Sequence, residues 1–309
     1  MKTNRKLIAL SAGGNNEELA AQGIGTEHID ELLIRFSMRL LRDGHRLSFG
    51  GSLGEPDKPL TQHLIDTALR WLDDEEPKGT EVSKPETWPL LNYSGWPYYT
   101  SINAEVRALQ VGVCQFVNVP PENVSSEELD SLIKDWRENP VARKRNADSL
   151  SLMRKKSAEQ ASLRIVWGGK IQGASGWMAG ILEEVAYTLE FEKPLLLLGG
   201  FGGCSKLIAD FLSDPKRSWP SALSLQTSSD TERDKLLSRA EKQKLWDRFE
   251  KTKANLKDFR KLLHSKKTVN GIASKALVQG LDELSPRELI HLGADVAKNL
   301  KVETKTRKK

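Results

Sequence analysis

The sequence predicts an α/β fold, an open parallel sheet of about five or more strands with helices on both faces, followed by an α-helical C-terminal arm. Three observations carry that expectation. Short apolar runs alternate with amphipathic helical stretches, which is the pattern of a parallel sheet. Four glycine pairs, Gly13-Gly14, Gly50-Gly51, Gly168-Gly169 and Gly199-Gly200, each close one of the apolar runs. The charge is split along the chain: about 24 basic and 30 acidic residues lie before Lys216, against about 23 and 12 from there on.

In chain order, LIALSA reads as the first strand and a segment near Glu27 to Arg42 as a helix. In that helix Ile29, Leu32, Leu33, Phe36 and Leu40 recur at helical spacing and Gly44 ends the pattern. RLSFGG is the second strand, and a helix follows near Leu60 to Leu72. From Asp73 to Ser101 proline, glycine and charge dominate. Trp88, Trp96, Tyr98 and Tyr99 mark this stretch as an ordered aromatic insertion, read as a surface loop pinned by packed rings or as a lid on a ligand. VGVCQFVNV is apolar at most positions, as a strand covered on both faces should be, and reads as the third strand.

Helices are expected over Ser125 to Glu138, opened by a Ser-x-x-Glu box, and over Ala147 to Gln160. LRIVWGG is the fourth strand, GWMAGILEEVAYTLEFE a helix, PLLLLGG the fifth strand, and Ser205 to Leu212 a last helix of the sheet domain. This places a Rossmann-like nucleotide-binding domain at residues 1–215, with the insertion at 73–101, and an α-helical basic region at 216–309. In that region Leu236, Leu245, Phe249, Leu256 and Phe259 make an apolar stripe. Ser285-Pro286-Arg287-Glu288 is a strong helix start.

Cys114 and Cys204 do not make a disulfide framework, and a cytoplasmic address is expected. No apolar run reaches the ~20 residues a membrane span needs. The five histidines show no metal-ligand spacing, so no metal site is expected. No P-loop lysine motif and no serine nucleophile elbow is present. A net charge of +5 says little about nucleic acid. The basic tail reads better as a helical arm packing on a second copy or another protein than as a nucleic-acid binder.

In open α/β sheets ligands bind outside the carboxyl ends of the strands, where glycine lets backbone approach a phosphate and helix N-termini supply amides. The candidate contacts are Gly13, Gly14 and Asn15 after the first strand, and Gly50, Gly51 and Ser52 with Thr61 after the second. Gly168, Gly169, Lys170, Ser175, Gly176 and Gly180 follow the fourth strand, and Gly200, Phe201 and Gly202 the fifth. Each glycine also has a bland reading, a tight turn needing positive φ.

Met153-Arg154-Lys155, the strand end Gly168-Gly169 and Gly180-Ile181-Leu182-Glu183-Glu184 resemble the motifs of the SLOG superfamily. Its members include the Lonely Guy nucleotide phosphoribohydrolases. Trp167 and Ile181 stand where those hydrolases have Pro and Thr. The pattern GGK, a glycine-rich turn, ILEE and later LLGGFGG is more similar to SLOG proteins encoded near bacterial antiviral systems. The resemblance spans roughly Arg5 to Leu212. It implies a nucleotide or NAD-derived ligand, no obligatory cofactor, and a setting in antiviral defence with a homo-oligomeric or defence-system partner.

If the chain is an enzyme, the resemblance implies hydrolysis of an N-glycosidic bond. Glu184, and next Glu183, would steady the positive ribose, as carboxylates do in glycosidases, with Arg154 assisting. The other readings are a ligand sensor and a structural subunit with a vestigial pocket. In the bland reading the glutamate pair is placed in an early helical turn by the helix dipole.

Overall fold

The structure is a computed structural model and describes residues 5–13, 25–51, 59–75, 87–224, 231–269, 272–273, 277, 281 and 285–300. Six parallel strands form one sheet in the order β4-β3-β2-β1-β5-β6. They are β1 (Leu7–Gly13), β2 (Arg46–Gly50), β3 (Leu90–Gly95), β4 (Cys114–Val119), β5 (Leu163–Gly168) and β6 (Leu195–Leu198). The order reverses at β1, whose neighbours are β2 and β5, so the topological switch point lies at the carboxyl ends of β1 and β5. In register these ends are Gly13 and Gly168.

The expected strands are present, with one addition between the second and third. Residues 73–101 are not simply an insertion on the surface: LLNYSG within them is β3, an interior strand buried at all six positions. Of the aromatics there, Trp96 is fully buried, while Trp88, Tyr98 and Tyr99 are half-buried.

Alternation along the strands sorts the two faces. Trp167 of β5 meets Phe36 on α1 (Thr26–Arg42), with ring centroids 6.3 Å apart, and α2 (Pro59–Glu75) packs beside α1. On the opposite face Arg164 of β5 reaches α5 (Pro140–Gln160) and α6 (Gly180–Glu190) through Ser157 and Thr188. The helix expected from Ala147 thus begins earlier, at Pro140, capped by Asn139. The stretch expected as one helix from Ser125 is the short α4 (Ser126–Ser131), after α3 (Ala104–Leu109). α7 (Gly203–Ser213) completes the sheet layer.

The C-terminal stripe is spent inside the chain. After α8 (Thr231–Lys235), the long α9 (Arg239–Ser265) buries Phe249, Thr252, Leu256, Phe259 and Leu263 against α6 and α7. Leu236, expected in the stripe, lies outside it and is 42% exposed. α10 (Pro286–Asn299), started by Ser285 as expected, packs on α1. Its last carbonyls, on Ala297, Lys298 and Leu300, accept hydrogen bonds from the Lys6 ammonium at 2.5, 3.2 and 2.8 Å. A cation at a helix C-terminus satisfies carbonyls that the helix leaves unpaired.

Both cysteines are free and buried. Burial pushes each thiol up to about 12, so neither is a thiolate near neutral pH. No helix among the described residues is long and apolar enough to cross a membrane.

His45, at the entry to β2, is buried, and among the described residues neither ring nitrogen has a hydrogen-bond partner. Burial and then the Lys6 charge hold its pKa below the usual 6.5, against a smaller opposing pull from Asp43. The folded state therefore keeps it neutral, whereas the unfolded chain takes up a proton as pH falls below about 6.5. Its contribution is complete above that value and is lost as pH falls toward the depressed folded pKa. Melting curves between pH 8 and pH 5 should show a smaller acid loss in His45→Leu than in the parent; equal losses would reject this origin.

Candidate functional site

The site begins where glycine backbones touch. A Cβ on Gly13 would overlap the Gly169 backbone, and one on Gly168 would overlap the Gly13 carbonyl. A Cβ on Gly203 would strike the Gly168 and Gly169 backbone, and the Cys204 amide donates to the Gly169 carbonyl at 2.9 Å. Gly168, Gly169 and Gly203 all have positive φ. The end of β1 and the loops leaving β5 and β6 thus meet without side chains between them, which is how backbone amides are brought to a crevice floor.

From Gly169 the chain makes a glycine-rich turn and enters α6. Ala179, its N-cap, offers no side-chain acceptor, so the first amides of α6 are uncapped by side chain. Arg154 on α5 lies against this turn: a Cβ on Gly176 would come within 2.5 Å of Nη1, and one on Gly180 within 3.0 Å of Nη2. Glycine at both positions leaves the guanidinium its berth.

Beneath the turn lies a chain of five charges. Glu183 has no exposed surface and accepts hydrogen bonds from Ser151 at 2.6 Å, from Arg154 and from Arg248 of α9. Glu184 accepts from Arg164 at 3.1 Å and stands 3.9 Å from the Arg154 Nε. In space the order is Arg248, Glu183, Arg154, Glu184, Arg164, with signs alternating and arginine at both ends. Burial pushes the Glu183 carboxyl up, but Arg248 and Arg154, with the Ser151 hydrogen bond, outweigh it and hold it below the usual carboxylate range. Arg164 also donates to Ser11 of β1 at 2.6 Å, which fixes it under the switch point.

A second anchor comes from the C-terminal region. Arg233 on α8 is buried, donates to the Ser175 and Gly176 carbonyls at 3.2 and 3.4 Å, and stacks 4.4 Å from the centre of the Trp177 ring. The Trp177 indole donates to Asp148 at 2.9 Å. Next to this turn is a small pocket of mixed polar and apolar lining whose walls include Gln172, Trp177, Met178, Leu182, Leu223 and Ser224.

The structure thus brings Gly13, Gly168, Gly169, Gly176, Gly180, Arg154, Glu183 and Glu184 together. Gly200, Phe201 and Gly202 follow β6 in a 3-10 turn beside them. Gly50, Gly51 and Thr61 form a separate group at the end of β2. Met153 lies over Gly50, Thr61 is buried beside Gly51, and Asn92 donates to the Gly51 carbonyl at 3.1 Å. Lys170 and Ser175 are exposed. Gly14, Asn15 and Ser52 lie outside the described residues.

Arg164, Arg233, Arg248 and Ser151 were not expected from the sequence. Arg164 alone left a signal there, as a charge in an otherwise apolar strand. Among the described residues no group of His, Cys, Asp and Glu could hold a metal ion.

A search of curated proteins returns no match. The family model described as SLOG cluster2 matches residues 2–289, well beyond the end of the sheet domain and through α9. With nearly the whole chain matched, and with glycine turns converging at the switch point of a parallel sheet, the protein belongs to the SLOG superfamily.

Proposed function

We propose that this protein binds a nucleotide or NAD-derived ligand at the carboxyl edge of the sheet and acts as a sensor. The observation that carries this reading is the charge chain: three arginines face two glutamates under an uncapped helix N-terminus. Its surplus positive charge, with the amides of the glycine turn, suits a phosphate. Residues Gly13, Gly168, Gly169, Gly176, Gly180 and Arg154 would hold the phosphate side. The likeness to SLOG proteins near antiviral systems supports a role in defence.

Hydrolysis of an N-glycosidic bond is the second reading, with Glu184 at the ribose and Arg154 assisting. Glu184 keeps 16% of its side chain exposed, whereas Glu183 has none and is engaged by two arginines. A carboxylate so enclosed serves the scaffold before it serves a substrate, which favours binding over turnover.

Purified protein incubated with NAD, ATP, AMP and deoxynucleotides separates the two. Binding of one of these by calorimetry with no release of free base is the expected result. Base release that disappears in Glu184→Gln, with an unchanged melting curve, would establish the hydrolase instead; absence of any binding would remove the nucleotide reading.

A further inference from the structure

The inner stripe of α9 is covered by its own chain, so what the helix offers outward is a different surface. Arg239, Lys242, Trp246, Lys253 and Lys257 succeed one another at spacings of three, four, seven and four, which keeps them on one flank of an α-helix. Trp246 is 51% exposed, and its ring rests on Phe249 at 6.2 Å between centroids. Lys253 pairs with Glu250 at 2.8 Å. Arg239, Lys242 and Lys257 have no ion-pair partner among the described residues. Arg248, two positions after Trp246, points to the other side of the helix and into the charge chain, so this flank is separate from the candidate nucleotide site.

We infer that the Trp246 flank of α9 is a binding strip for single-stranded nucleic acid. Cations in a row along roughly 27 Å of helix match a phosphate backbone. A supported, half-exposed indole between them is a stacking platform for an unpaired base. A duplex keeps its bases stacked and offers this indole nothing. A lipid surface calls for several apolar side chains on the same flank, and Trp246 stands among cations. The strip is independent of the proposed nucleotide site.

The test is fluorescence anisotropy of a labelled oligo-dT of about 12 nucleotides, within the usual site sizes, titrated with full-length protein at low salt. Trp246→Ala should weaken binding about 5- to 150-fold, the range that loss of one stacked base gives. With three phosphates neutralised, log affinity should fall with log salt at a slope of about −2, and Lys242→Glu with Lys257→Glu should bring it to about −0.7. Trp246 is half-exposed, so the variant should keep the parent melting curve. No binding at low salt, equal affinity in Trp246→Ala, or duplex bound as tightly as single strand would each overturn the inference. Binding to anionic phosphatidylserine vesicles without binding to oligo-dT would also overturn it. Because the readout uses no mononucleotide, failure here leaves the proposed nucleotide site intact.

Discussion

Replacing Glu183 with alanine should lower the unfolding free energy by about 3–5 kcal/mol, the cost of leaving buried charges unpaired. Glu183 is fully buried, and the substitution would leave Arg154 and Arg248 facing each other across a cavity with the Ser151 hydroxyl unpaired. Arg248 keeps 24% of its side chain exposed and can swing toward water, whereas Arg154, at 11%, has less freedom. Arg248→Ala should therefore cost less than Glu183→Ala. Adding Arg154→Met to Glu183→Ala should restore part of the loss, since two neighbouring charges are then removed together. Urea denaturation of the set checks this. A loss in Glu183→Ala below about 1 kcal/mol, the size of a surface ion pair, would mean that the cluster is solvated and not enclosed.

The second large effect is expected at the glycine convergence. Gly168→Ala forces a side chain onto a residue with φ of +65° and drives its Cβ into the Gly13 carbonyl. Left-handed backbone costs an L-residue about 1–2 kcal/mol. Overlap with backbone that cannot yield adds about 1–3 kcal/mol by the scale of overpacked cores. Gly173 is the control: its φ is +68°, but an added Cβ meets nothing within 4 Å. Gly173→Ala should show only the backbone cost, and Gly168→Ala a loss larger by about 1–3 kcal/mol together with loss of nucleotide binding. Equal losses in the two variants would show that the ends of β1 and β5 do not touch.

The sheet was legible because local pattern and global position agree in most of its strands. LIALSA, LRIVWGG and PLLLLGG are apolar runs with glycine at the end; the first two border the switch point and the third lies beside them at the sheet edge. β3 is hidden in the sequence because Asn92 and Ser94 interrupt the run and prolines flank it, so burial, and not composition, makes it a strand. The glycines of the site were legible for the same reason as the strands: their positions recur at strand ends. The glutamates were legible as a pair. What the pair does depends on Arg248, 65 residues from Glu183 in sequence and placed by the packing of α9. No periodicity in the tail distinguishes Arg248 from its neighbouring cations, and the stripe that was visible there turned out to face inward.

Lys6 joins residues nearly three hundred positions apart: its ammonium ends the last described helix while its backbone leads into the central strand. A nascent chain therefore cannot complete the surroundings of β1 until residue 300 has left the ribosome tunnel, long after all six strands have emerged. Contacts this distant in sequence slow folding, because the loop they close is ordered before it is rewarded. During that interval the face of α1 that α10 covers stays open to water, and apolar surface exposed in this way is prone to aggregation.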